Sequence, residues 1–533
     1  MNCSQVMASY IKEAGITHVF GYPGDPNVEF MESLRRHGVQ FVLGRREGTS
    51  GFMAQAYAML TGRPGVAMST LGPGSSNMVN PVANAFLDKY PMIAISGQIE
   101  TARDGVFTHQ VLNHNALFSP ISKWTVQIQP SNAGTVMRRA LRTALAERPG
   151  PVHITCHSDT AGAECKDDKV LVPPLYPVSH GIQAYGGKDG DVKRRMAKAR
   201  RPVIVTGTSA LRAGATAKLE TFAETYGCPV IVGPMSKGVI AEDHPCYAGT
   251  IDMACNGFLW DFLQGSDLIL CVGFDAVELI KPWKLSAPTI HIDSVANTDQ
   301  VYPAEIELVG AVGEILDSLR AQYRGQPKWS EKQIARHRDR LFKLYYSGRV
   351  KGKLNPTDVV DVVREVMPRD TIVSCDVGSH KHLIGQGWKA YEPKSVLMTN
   401  GLSTMGFSLP AAIVSALVNP KTPALCFIGD GSLAMVQSEL RLASTLKLPI
   451  IVVVFCDNSL NRIELKQMAR RYPSWGTLID TTDIPTLAHS MGCDGLNVST
   501  AAQLEKALSD YRPKGRPLVI GALIDPEQYK AHF

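Results

Sequence analysis

The run Ala424-Leu425-Cys426-Phe427-Ile428, passing directly into Gly429-Asp430-Gly431-Ser432, constrains this chain more than any other stretch. A short apolar run that ends in a glycine-flanked acid reads as a buried parallel strand closed by a tight turn. Ser438 to Leu446 then reads as a helix, and Ile450 to Phe455 as the following strand, which ends at Cys456-Asp457-Asn458-Ser459. Strand, helix and strand in that order bring Asp430 and Asp457 to the same carboxyl edge of one sheet, where open parallel sheets bind ligands.

The glycines around Asp430 let main-chain amides approach a phosphate closely, and the next helix points its positive end at the same place. Two carboxylates beside a diphosphate describe a Mg²⁺ site, because this hard cation takes oxygen ligands shared between protein and phosphate. Gly-Asp-Gly by itself is equally an ordinary turn. Asp457 at this spacing decides for the metal.

A chain of 533 residues exceeds what one hydrophobic core supports, so several domains are expected. Helix and strand alternate from the start: a first amphipathic helix, a strand at His18 to Phe20, the turn Gly21-Tyr22-Pro23-Gly24, a strand at Val39 to Leu43, a helix from Thr49 to Thr61 closed by Gly62, a strand at Val66 to Ser69, and the loop Gly72-Pro73-Gly74. That is a doubly wound α/β domain, about residues 1–165. Glu164 to Gly190 reads as a polar linker and 190–325 as a second α/β unit. The basic run Trp329 to Lys353 reads as a solvated linker helix, and 355–533 as a third α/β domain. Three consecutive doubly wound α/β domains with mostly parallel sheets are the predicted fold.

Composition excludes several classes. The net charge is +6, from 55 basic and 49 acidic residues scattered along the chain, so no nucleic-acid face is indicated. The 11 cysteines show no C-x-x-C and no zinc-ligand spacing, and several fall in apolar strands. No apolar run approaches the length of a membrane span and no signal segment is visible, so a cytoplasmic protein is expected.

With these motifs in place, the chain resembles the thiamine diphosphate (ThDP) enzymes of the acetolactate synthase, pyruvate oxidase and 2-oxo acid decarboxylase family. Their diphosphate motif begins Gly-Asp-Gly and ends in an Asn-Asn pair. Here the end reads Asp457-Asn458, as in flavin-free acetolactate synthases. The resemblance implies that the first and third domains carry the ThDP-binding fold. It implies that Asp430, Asp457 and the main-chain oxygen of Ser459 ligate Mg²⁺, with Asn458 replacing Asp457 if the register slips by one. It also places Pro23, Gly24, Asn77, Ser379, Ser403, Met405, Gly429, Gly431, Ser432 and Leu460 at the cofactor.

Arg46-Glu47-Gly48 stands where the family has its activating glutamate. A carboxyl hydrogen-bonded to N1′ of the aminopyrimidine favours the imino tautomer, whose 4′ nitrogen removes the thiazolium C2 proton, and this requires a dry pocket for Glu47. Arg45 and Arg46 are expected to point away from it. Met405 is the residue over which the cofactor folds, and the Ser403 main-chain oxygen takes the 4′-amine hydrogen bond. Thr108-His109-Gln110 resembles the substrate-facing loop, which makes His109 and Gln110 catalytic candidates beside Glu47.

The helix after the metal loop departs from the family. Arg462 and Lys466 stand where apolar or amide residues are usual, and they can clamp a second anionic group on a substrate or simply be solvated. Phe274-Asp275-Ala276-Val277 lacks the arginine of the flavin-bearing segment, so FAD is not expected. The activity implied is decarboxylation of a 2-oxo acid, pyruvate, with carboligation as in acetolactate synthase. The alternatives are a non-ligating decarboxylase or acyltransferase for a substrate with a second anionic group, and an inactive homologue acting as a binding subunit. A homodimer with active sites between subunits, assembled into a homotetramer, is the implied quaternary state.

Overall fold

Apolar runs bounded by turn residues become strands, and the amphipathic stretches between them become helices, along the whole chain. The structure is a computed structural model that describes residues 1–166, 169–176, 181–187, 189–323, 325–480, 482–513 and 515–533. In the first domain, β1 (His18–Tyr22), β2 (Gln40–Leu43), β3 (Gly65–Ser69), β4 (Met92–Gln98), β5 (Trp124–Gln127) and β6 (Pro151–His157) form a parallel sheet in the order β2-β1-β3-β4-β6-β5.

The central sheet comprises β7 (Gln183–Tyr185), β8 (Pro202–Thr206), β9 (Val230–Val232), β10 (Tyr247–Thr250), β11 (Leu268–Val272), β12 (Thr289–Asp293) and β13 (Ile306–Val309), ordered β10-β9-β8-β11-β12-β13-β7. Only the edge strand β7 runs antiparallel, against β13. In the third domain, β14 (Ile372–Cys375), β15 (Val396–Leu397), β16 (Ala424–Gly429), β17 (Ile451–Cys456), β18 (Asp494–Val498) and β19 (Leu518–Leu523) are all parallel, in the order β15-β14-β16-β17-β19-β18. The expected three α/β domains are therefore present.

The central strands are buried at every residue in β3, β4, β8, β11, β14 and β17. This is why they read as continuous apolar runs, and each fully buried Val, Leu or Ile contributes about 1.5–3 kcal/mol. Local signals set the helix ends. Asn2 and Gln5 form a capping box for the helix Cys3–Glu13, and Gly62, at φ +72°, closes the helix Glu47–Thr61 in the left-handed region.

Two expectations are corrected. Of the linker read at Glu164 to Gly190, residues 167–168, 177–180 and 188 lie outside the described residues. The described part contains β7, so the central sheet starts ahead of residue 190. The basic run is not a free solvated helix either. Glu331–Tyr345 buries Ile334, His337, Leu341 and Tyr345 along one stripe, His337 Nε2 meets the Ala248 carbonyl at 2.9 Å, and Arg340 lies over the Phe258 ring. Its charges cover the outer face of a docked helix.

The chain packs as two units, one of Met1–Val178, Gly401–Pro420 and Val436–Leu448, the other of Ser179–Asn400, Lys421–Met435 and Pro449–Phe533. No helix among the described residues is long and apolar enough to cross a membrane.

In an open α/β sheet, ligands bind outside the carboxyl ends of the strands where the strand order reverses. Near the middle of each sheet such a reversal falls between β1 and β3, between β8 and β11, and between β14 and β16. The central one is filled by its own loops. Ser209 N donates to Gly273 O at 3.0 Å, and the buried Glu278 carboxyl accepts from Thr208 N (2.8 Å) and Met235 N (2.9 Å).

Candidate active site

In the first unit, the turn after β1 carries Pro23 and Gly24. The Gly24 amide donates to Asn27 Oδ1 (3.0 Å), and Asn27 Nδ2 donates to the Ser69 carbonyl at the end of β3 (3.2 Å). A Cβ at Gly24 would collide with the Thr70 hydroxyl, so only glycine lets the two loops meet. Glu47 opens the helix after β2 and is 8 % exposed.

Asn77, on the helix Pro73–Leu87, donates from Nδ2 to Glu47 Oε2 at 3.1 Å. Asn77 therefore orients the glutamate. A Cβ at Gly74 would come within 3.0 Å of Glu47 Oε1, so the glycine keeps that oxygen accessible. The guanidinium of Arg45 donates to the Leu43 carbonyl at 3.2 Å and Arg46 is exposed, so both side chains point elsewhere, as expected.

The same unit holds the segment Gly401–Gly406. Ser403 (φ +51°) and Gly406 (φ +90°) both lie in the left-handed region, and Met405 is half-buried between them. His109 and Gln110 sit on an exposed loop whose base is closed by Gln98 Nε2 donating to Leu112 O (3.1 Å) and by the His157–Asp104 pair (2.9 Å). Gln110, at φ +59°, has its backbone against Gly72. The structure gives neither His109 nor Gln110 a contact with Glu47.

In the second unit, Asp430 follows β16 and opens the short helix Asp430–Val436. Its Oδ1 accepts from Gly431 N (2.8 Å), and its Oδ2 accepts from Asp457 N (3.2 Å) and Asn458 N (2.9 Å). These bonds fold the turn after β17 over Asp430. Burial, reinforced by the charge of Asp430, pushes the Asp457 carboxyl up to about 7.

Asp457 Oδ1 accepts from Ser459 N at 3.2 Å, and Ser459 bridges Leu478. That bridge uses the Asn458 carbonyl, bonded by Ile479 N (3.0 Å), and the Leu460 amide, which donates to Thr477 O (2.7 Å). The Ser459 carbonyl takes no part in it. Two crowded carboxylates and a carbonyl left out of the local ladder fit a divalent cation. Asn458 is exposed at φ +57°, a turn position that suits asparagine.

Ser432 is 1 % exposed, and its Oγ has no hydrogen-bond partner among the described residues. An orphaned hydroxyl beside glycine amides fits a phosphate oxygen. Ser379 donates from Oγ to Asn461 Oδ1 at 2.7 Å.

His380, which the sequence reading did not single out, lies between these groups. It stacks on Phe455 at 5.0 Å, its Cε1 would lie 3.1 Å from a Cβ at Gly429, and its buried Nε2 has no partner among the described residues. Burial pushes it down to about 4, so it is a neutral imidazole.

Glu439 was likewise passed over, inside a stretch read only as helix. Buried in the first unit, it accepts at Oε1 from Thr49 Oγ1 (2.6 Å) and Arg45 N (2.8 Å), beside the start of the Glu47 helix. Arg462 is occupied by the Phe533 ring, 3.9 Å from its guanidinium, whereas Lys466 is exposed.

Comparison with known proteins shows the family. Residues 1–117, 191–319 and 376–522 match the N-terminal TPP-binding, central and C-terminal TPP-binding domains of thiamine pyrophosphate enzymes. The acetolactate synthase of Bacillus subtilis (strain 168) is 28% identical over 98% of this chain and 93% of its own length. The catabolic acetolactate synthase of Raoultella terrigena is 26% identical over 98% and 95%, and the acetolactate synthase isozyme 2 large subunit of Escherichia coli (strain K12) is 28% identical over 98% and 96%. The chain belongs to the thiamine pyrophosphate-dependent enzymes, among the acetolactate synthase-like members.

Proposed function

We propose that this enzyme decarboxylates pyruvate and joins the two-carbon unit to a second 2-oxo acid, the reaction named for its acetolactate synthase relatives. The observation that carries the reading is the buried Glu47 carboxyl, with one oxygen held by Asn77 and the other kept accessible by Gly74. Bound ThDP supplies the carbon nucleophile and the electron sink that decarboxylation requires.

The chain's own residues do the rest. Glu47 Oε1 holds the hydrogen bond to the aminopyrimidine nitrogen, and Met405 and the Ser403 carbonyl orient that ring. Asp430, Asp457 and the Ser459 carbonyl hold Mg²⁺. Ser432, Ser379, Leu460 and the backbone at Gly429 and Gly431 take the diphosphate end, while Pro23 and Gly24 line the aminopyrimidine side. His109 and Gln110 face the substrate from their loop.

Three domains, over 1–165, 190–325 with β7 added to its sheet, and 355–533, and a homodimer at least, associated as a homotetramer in the cytoplasm, complete the reading. The central domain takes no flavin, because Glu278 already accepts from the Thr208 and Met235 amides in the turns after β8 and β9. A yellow purified protein with stoichiometric flavin overturns that point.

Proton NMR of the protein with ThDP, Mg²⁺ and pyruvate tests the activity. Acetolactate is expected. Acetaldehyde as the sole product replaces carboligation with simple decarboxylation, and intact pyruvate in the presence of an exchanging cofactor moves the substrate elsewhere.

A further inference from the structure

Asp88 lies in the wrong place for an ordinary carboxylate. It follows the last residue of the helix Pro73–Leu87 and caps its carboxyl end, where the helix dipole disfavours a negative charge, and it is fully buried. Among the donors that hold it there are Gln55 Nε2 at 2.9 Å and Asn84 Nδ2 at 3.1 Å on Oδ2, and the main-chain amide of Gly401 at 2.7 Å on Oδ1. Asn84 Nδ2 also donates to Gln55 Oε1 at 2.7 Å, so the two amides and the acid form one closed network.

The third donor gives the network its meaning. Gly401 is separated from Asp88 by 313 residues and begins the segment that runs through Ser403 to Gly406. Ser403 of that segment is left-handed, a conformation that a non-glycine residue in a free loop does not keep unless its surroundings impose it. At Gly401 a Cβ would lie 2.7 Å from Leu87 Cβ and 3.0 Å from Asp88 Oδ1, so the backbone is drawn hard against the helix end. Thr404 Oγ1 donating to Asn80 Oδ1 (3.1 Å) adds a second, exposed tether from the same helix.

We propose that Asp88 is a positioning residue for catalysis: through the Gly401 amide it holds the Ser403–Met405 turn in the shape that orients the cofactor's aminopyrimidine. This rests on reading Ser403 and Met405 as cofactor contacts. Asp88 itself touches neither substrate nor cofactor, and its carboxylate acts only by fixing a backbone.

The test reads C2-proton exchange of ThDP bound to the full-length protein with Mg²⁺, alongside the thermal midpoint and cofactor affinity. Asp88→Asn turns a two-oxygen acceptor into one oxygen and one donor, and it is expected to slow exchange about tenfold to a hundredfold, as small misplacements of reacting groups do. Affinity should change far less, because the diphosphate end is untouched.

The double exchange Asn84→Asp with Asp88→Asn keeps one carboxylate and an oxygen for Gly401, and is expected to restore exchange. Wild-type exchange in Asp88→Asn overturns the proposal, and so does a folded double variant as slow as the single one. Should Asp88→Asn fail to fold, Asn84→Ser, which removes one donor that orients the carboxylate, is read in its place, with slowed exchange supporting and wild-type exchange overturning.

Met405→Ala separates the two levels. Slowed exchange there with wild-type exchange in Asp88→Asn removes the tether alone, whereas wild-type exchange in Met405→Ala removes the cofactor reading on which it stands.

Discussion

At the scale of single residues, Glu47 and Asp457 make opposite demands on their surroundings. Glu47 sits at a helix start with one oxygen held and one kept open, so replacing it with glutamine should preserve the fold and the metal site while abolishing C2 exchange of bound ThDP. Normal exchange would sink its assignment. Asp457 is crowded by Asp430, and its carboxyl is raised from 3.8 to about 7. A raised acid pKa means that the metal-free folded protein holds this proton more tightly than the unfolded chain. Stability of the metal-free protein should therefore fall as pH rises from about 4 through 7. Mg²⁺ competes with the same proton, so its affinity should rise across that window, and calorimetric titrations at pH 6 and 8 measure the difference. Asp457→Asn should weaken Mg²⁺ binding and flatten the pH dependence. Asp430 was legible in the sequence between its turn glycines and Asp457 at the end of the next apolar run, while Glu47 was legible through the family motif around it. His380, Glu439 and Asp88 were not, because what marks them is a partner elsewhere: an unpaired ring nitrogen in a buried crevice, an amide far back in the chain, or Gly401 on a distant segment.

At the scale of elements, legibility followed burial. The central strands announced themselves as unbroken apolar runs, since both faces of a parallel strand are covered. β7 stayed hidden in a stretch read as linker because its burial pattern is exposed throughout and only main-chain pairing to β13 defines it. The helix Glu331–Tyr345 was misread for the opposite reason. Its arginines and lysines dominate the composition, while the stripe of Ile334, His337, Leu341 and Tyr345 that docks it recurs only once per turn or two. If that stripe holds the helix, Leu341→Ala should destabilise the protein by about 2–4 kcal/mol, the usual cost of an uncollapsed core cavity. Denaturant titration measures it, and a loss below about 0.5 kcal/mol would restore the solvated reading.

At the scale of the whole molecule, the two acidic constellations belong to different packing units of the chain, Glu47 to one and Asp430 with Asp457 to the other. On the proposed reading one ThDP molecule engages both kinds of group at once, supplied from two subunits. This makes a quantitative expectation possible. Glu47→Gln and Asp430→Ala homodimers are each inactive, because every site lacks one group. When the two variants are unfolded and refolded together at equal concentration, about half of the dimers are mixed if pairing is random. In a mixed dimer one site joins both defects, and the other joins the intact Glu47 of one chain to the intact Asp430 of its partner. Half the sites in half the dimers then work, so about a quarter of wild-type activity should return. Were each site built within a single chain, every site in the mixture would still carry one defect and no activity would appear. Recovery near a quarter fixes the shared site, and its absence confines catalysis to one chain.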